Sequence, residues 1–162
     1  YLIPAFHDVR RAVPDARLIV AGAGPAVSVD RNAAGLEVLN YHIPNDELVR
    51  LIQRSSVVVA PYTDATHSAV IMTAYAFRKP VIASAVGGIP EVVRDGLTGM
   101  LVRPRDSSAL AGALVQLLKD PGTRETMKAN IIDQCCEGDL SWQKIAQDTL
   151  GVYRSAASSC KA

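Results

Sequence analysis

The segment Tyr62-Thr63-Asp64-Ala65-Thr66-His67-Ser68-Ala69 sets hydroxyls and an imidazole directly ahead of an apolar stretch that reads as a helix. Small and hydroxyl side chains at a helix start leave backbone N–H groups free for an anion, and the helix dipole favours negative charge there. Such a loop can hold phosphate without a lysine. The same residues also suit a plainer part, in which Thr66 or Ser68 caps the helix. Gly87-Gly88-Ile89-Pro90-Glu91 is a second helix start. Its glycines permit close backbone approach, and its proline suits a first turn. The run Gly22-Ala23-Gly24-Pro25 supplies two glycines but no third at dinucleotide-fingerprint spacing, and Pro25 removes an amide donor. It reads equally as a tight turn or as the lining of a nucleotide pocket. His42 and His67 fall on loops, where an imidazole can serve chemistry; His7 falls on a helix and reads as structural.

Other chemistries find no support. The sequence holds no recognisable Ser/His/Asp set, metal cluster or pair of carboxylates at working spacing. Its three cysteines, Cys135, Cys136 and Cys160, are odd in number and lack both a Cys-x-x-Cys spacing and a nearby histidine. The adjacent pair is expected to serve as small buried apolar side chains on a helix. Seventeen basic residues against sixteen acidic ones leave a formal charge of +1, which argues against a nucleic-acid partner. The length, 162 residues with 49% apolar, suits one domain with a substantial core. No apolar run approaches the roughly 20 residues needed to cross a bilayer.

Strands alternate with helices along the chain. A helix is expected from about Ile3 to Val13, with Pro4 tolerated in its first turn. Short apolar runs at Leu18–Ala21, Leu36–Leu39, Val57–Ala60, Pro80–Ser84 and Gly99–Val102 read as buried strands. A weak amphipathic segment precedes the second run. Asn45-Asp46-Glu47 begins a helix carrying Leu48, Leu51 and Ile52 on one face, and another spans about Ser68 to Phe77. A short helix follows Gly87-Gly88 as far as Val93. The remainder is helical, with stripes at Leu110, Ala113, Leu114, Leu117 and Leu118, then Met127, Ile131 and Cys135, then Trp142, Ile145, Ala146, Thr149 and Tyr153. Parallel strands need crossovers, so the expected class is α/β: a parallel sheet with helices on both faces and a helical C-terminal end. In such sheets ligands bind at the carboxyl ends of the strands.

The ordered segments Pro80–Ser84, Val86-Gly87-Gly88-Ile89-Pro90-Glu91-Val92-Val93 and Asp95-Gly96-Leu97-Thr98-Gly99-Met100-Leu101-Val102 resemble the C-terminal domain of family 4 glycosyltransferases. Val20–Pro25 upstream and Ser141-Trp142 with Ile145-Ala146 downstream match in order and spacing, so the resemblance covers essentially the whole chain. It implies a Rossmann-like lobe of a GT-B enzyme that holds a nucleotide-diphosphate sugar, while the N-terminal domain holds the acceptor. It also implies transfer with retention of configuration, without metal or other cofactor. Positive charge and helix-terminal amides would then steady the departing nucleoside diphosphate.

Carried onto this sequence, the loop of His42 and Ile43 lies along the base, and the backbone of Ser68 and Ala69, with Val70, meets the diphosphate. The family's Glu, seven residues, Glu pattern falls at Ala65 and Thr73, and neither can accept two hydroxyl hydrogen bonds as a carboxylate would. Ser stands at position 68 where glycine is usual. A subgroup whose loop is similar to Ala-Thr-Gln-Ser-Gly would move the sugar contacts to Thr66, His67 and Ser68. The family's Arg and Lys clamp precedes the helix that opens this chain, so no catalytic residue is expected within it. Arg78 and Lys79 read instead as a solvated helix end. The start at Tyr1, amid an apolar run and without a basic leader, reads as a fragment lacking its first strand and its acceptor domain, inactive alone. Rival readings are a non-catalytic nucleotide-sugar-binding or scaffold domain and a GT-B nucleotide-sugar 2-epimerase. Donor sugar, base and acceptor (lipid-linked, polysaccharide or small molecule) stay open. The expected location is cytoplasmic, with a peripheral place at the inner membrane face as a variant.

Overall fold

The computed structural model describes residues 1–24 and 33–159. The weak amphipathic segment expected before Leu36 falls largely outside them, as do Pro25 and Cys160. The described residues form five strands, β1 (Leu18–Ala21), β2 (Leu36–Leu39), β3 (Val58–Ala60), β4 (Val81–Ser84) and β5 (Gly99–Val102). Seven helices accompany them: α1 (Leu2–Ala12), α2 (Asn45–Arg54), α3 (Ala69–Ala76), α4 (Ile89–Val92), α5 (Ser107–Lys119), α6 (Pro121–Cys136) and α7 (Trp142–Ser159). This is the expected α/β architecture.

Every strand pairing is parallel. Strand β1 pairs with β2, Leu18 facing Leu36, and β4 lies between β3 and β5, with Val81 facing both Val58 and Gly99. The four residues of β4 are all buried, as a central strand covered on two faces requires. Its side chains alternate between two cores. Ile82 joins Phe6, Val9, Leu110, Leu114 and Leu117, where α1 packs on α5. Val81 and Ala83 join Ile71, Ala74, Tyr75, Ile89, Val93 and Ile131 on the other side. The period of two along the strand thus divides the interior.

Helix ends follow their sequence signals. Asp106 accepts the Ala109 amide at 2.8 Å to cap α5, and Asp120 accepts the Thr123 amide at 2.9 Å to cap α6 ahead of Pro121. The Thr123 amide and hydroxyl hold the Asp120 carboxyl below the usual carboxylate range. Three expectations need correction. Lys79 is not simply solvated: its ammonium donates to the carbonyls of Gln53 (2.7 Å) and Ser55 (2.8 Å), closing the C-terminal end of α2, and partial burial pushes its pKa down. Cys136 is exposed and only Cys135 is partly buried. The stripe of α7 packs into no core: its Trp142, Ile145 and Tyr153 all stand exposed. No described helix is long and apolar enough to cross a membrane.

Candidate functional site

The loop from β3 to α3 is built around a serine. Pro61 ends the strand, and the Tyr62 amide returns to the Ala60 carbonyl at 3.0 Å. Tyr62 then reaches forward, its hydroxyl 3.0 Å from the hydroxyl of Ser68. Ser68 has extended backbone (φ −137°, ψ 110°), and its Oγ accepts the Ile71 amide at 3.3 Å. That is the geometry of an N-cap. The cap satisfies the third amide of α3 and leaves the first two: the N–H groups of Ala69 and Val70 donate to no acceptor among the described residues. Capping and anion binding, alternatives in the sequence, are compatible here because they use different amides.

A cavity of about 240 Å³ opens beside this helix start. His67, Ser68, Ala69, Ile71 and Met72 line one side, and Gly88, Ile89 and Val92 of the α4 turn line the other. None of these residues carries a carboxylate or a permanent positive charge, so the field inside comes from backbone dipoles and the His67 ring. The two walls touch through glycines. The Gly88 amide donates to the Thr66 carbonyl at 2.9 Å. Gly87 has a left-handed φ of +52°, and a methyl built on it would lie 1.7 Å from the Ala65 carbonyl oxygen. No other residue type fits there.

Among the residues singled out from sequence, the structure gathers His67, Ser68 and Ala69 around the cavity. Ala65 and Thr66 lie behind it, their carbonyls against Gly87 and Gly88. Val70 is exposed at the first turn, and the Thr73 hydroxyl donates back to the Ala69 carbonyl at 2.8 Å. His42 and Ile43 stand on the loop between β2 and α2 and do not line the cavity. That loop is braced where it begins: the Tyr41 hydroxyl donates to Glu47 at 2.6 Å, which raises the tyrosine pKa. The loop after β1 leans the same way, the Gly24 amide donating to Asn40 Oδ1 at 3.0 Å. Sequence reasoning missed Met72 and Val92 as cavity walls. It also missed Tyr62 as the partner of Ser68, although an aromatic hydroxyl just after a strand is a visible signal.

Residues 1–120 match the family described as Glycosyl transferases group 1. The chain belongs to that family. A group 1 relative, the D-inositol 3-phosphate glycosyltransferase of Kribbella flavida, is 38% identical over 114 residues, which are 70% of this chain and 26% of the relative. Among solved structures, the sucrose-phosphate synthase of Thermosynechococcus elongatus superposes with a TM-score of 0.73 at 27% identity. The superposition covers 98% of this chain and 43% of the synthase. Anabaena HepE, solved with UDP-glucose, shares the fold with a TM-score of 0.63 at 20% identity, over 90% of this chain and 44% of its own. The chain therefore spans between 26% and 44% of the length of these proteins. Its parallel α/β fold is that of the C-terminal domain of GT-B glycosyltransferases.

Proposed function

We propose that this chain is the donor-binding lobe of a retaining glycosyltransferase, taking a nucleotide-diphosphate sugar and passing the sugar to an acceptor held elsewhere in the protein. The observation that carries the reading is the start of α3. Two unpaired amides, Ala69 and Val70, sit at the positive end of an apolar helix, at the carboxyl end of a parallel strand and beside a cavity. A diphosphate there gains two charge-assisted hydrogen bonds and the helix field. As the glycosidic bond breaks, negative charge grows on the leaving diphosphate, and the same amides stabilise it more than they stabilised the donor. In this reading they, rather than a metal ion, supply that stabilisation within the lobe. Family membership and the UDP-glucose bound to HepE support a nucleotide sugar as the donor.

Calorimetric titration of the chain with UDP, GDP, ADP and UDP-glucose tests the proposal. Binding of at least one diphosphate, lost on adding a carboxylate at the helix start with Ala69→Asp, is the expected result. No binding, by this chain or by a longer form of the protein that contains it, overturns it.

A second reading, a nucleotide-sugar-binding domain without transfer activity, rests on Ala65 and Thr73. The Thr73 hydroxyl is turned onto its own helix, and Ala65 presents no side chain able to hold a sugar hydroxyl. Donor binding without turnover by the longer protein would select this reading.

A further inference from the structure

We propose that Gly88 is a positioning residue for the diphosphate subsite, setting the path of the Thr66-His67-Ser68 loop and so the direction in which α3 presents its free amides. The inference rests on the donor-binding reading above and deepens it.

Gly88 has an ordinary backbone conformation, φ −82° and ψ 4°, open to any residue. Conformational freedom therefore does not explain a glycine here. Space does. A Cβ at position 88 would lie 2.8 Å from the Thr66 carbonyl oxygen, 2.9 Å from His67 Cε1 and 3.1 Å from His67 Nδ1. The imidazole can swing away from such a methyl at low cost. The Thr66 carbonyl cannot, because it belongs to the backbone and accepts the Gly88 amide at 2.9 Å. The bare Cα of Gly88 is thus a flat stop against which the loop rests two residues before the Ser68 cap. Gly87 extends the stop to the Ala65 carbonyl. From Thr66 onward the chain has little slack: His67, the Ser68 cap, then the free amides of Ala69 and Val70. A shift of a few tenths of an ångström at Thr66 is passed into the direction of those N–H groups, and hydrogen bonds weaken steeply as they lose alignment.

The test compares Gly88→Ala with Gly96→Ala in the same chain. Gly96 has φ +72° and no described atom within 4 Å of an added methyl, so its substitution strains the backbone without pressing on the loop. Affinities are measured by calorimetry for whichever of UDP, GDP and ADP binds the parent chain, and for its monophosphate. G88A is expected to weaken the diphosphate by about tenfold and the monophosphate by less than about threefold. G96A is expected to lower the melting temperature while keeping the parent ratio of the two affinities. An unchanged ratio in G88A, or an equal loss of both ligands in it, overturns the proposal. Amide chemical shifts keep this outcome apart from a failure of the functional reading. Without any ligand, G88A should move the resonances of residues 66–70 and G96A should not; still resonances in G88A would show that Gly88 positions nothing. A parent chain that binds no diphosphate while those resonances move overturns the donor reading instead, and with it the subsite assigned to the loop.

Discussion

Two glycine pairs end up in opposite circumstances. Gly22 and Gly24, after β1, are uncrowded by the described residues; an added methyl on either meets none of their atoms within 4 Å. Gly87 and Gly88, after β4, are pressed against the carbonyls of Ala65 and Thr66 and against the His67 ring. In sequence both are Gly-x-Gly or Gly-Gly turns at the carboxyl end of an apolar strand, and both invite a phosphate-binding reading. The difference teaches that a glycine's meaning lies in what approaches it. The first pair is left uncrowded by the described residues; the second has used its room to bring two loops of the protein together.

Substitutions can break that contrast, and the largest effect is expected at Gly87. Gly87→Ala places a methyl 1.7 Å from a carbonyl oxygen on a residue with φ +52°, and should cost about 3 kcal/mol or more of unfolding free energy. Urea denaturation measures it, and a loss below about 1 kcal/mol would mean that the two loops are not locked together.

Next comes the support beneath the close-packed side. The Tyr75 hydroxyl lies 2.7 Å from Thr98 Oγ1 in a buried pair, and burial pushes the phenol pKa up from 10.0 to about 12. The folded pKa exceeds the unfolded one, so the contribution is complete below pH 10 and is lost as pH rises from there toward 12. The shift corresponds to about 2–3 kcal/mol. Stability measured against pH should fall over that interval. Tyr75→Phe should flatten the fall, at a cost of about 1–2 kcal/mol at neutral pH, because Thr98 loses a partner. Thr98 keeps the Arg94 amide at 3.0 Å, which limits that cost.

Ser68→Ala should lower stability by about 1 kcal/mol through loss of the cap, as read by thermal melting. It also frees the Ile71 amide, so diphosphate affinity should fall less than stability suggests. Smallest of all, Gly24→Ala should change stability by no more than about 0.5 kcal/mol, its amide still free to reach Asn40. A large loss there would erase the distinction between the two glycine pairs.

Much of this was legible in the sequence because it is local. Apolar runs of four residues between turn signals marked the strands within a residue or so, and β3 begins at Val58 rather than Val57 because of its pairing with β4. Asp120-Pro121 is a local stop signal, and α5 ends at Lys119 just before it. Other features depended on partners distant in the chain. Lys79 as a helix closer depends on the carbonyls of residues 53 and 55. The exposure of α7 could not be read from its stripe, since an apolar face records only that burial is possible. In the candidate site, the types of Thr66, His67 and Ser68 drew attention to a loop that borders the cavity. Their arrangement around a cavity did not follow, because the opposite wall comes from residues 88–92.

By itself, then, the chain's order of residues determined the α/β class, the position of each strand and the family, since hydrophobic periodicity, turn residues and motif order all act within short spans. Only the tertiary structure decided which amides of α3 stay free, which glycines are crowded, and that His67 faces a cavity while His42 does not. The crowding of the glycines and the wall opposite His67 depend on contacts between segments about twenty residues apart, and contacts of that range are set by packing, which no local pattern encodes.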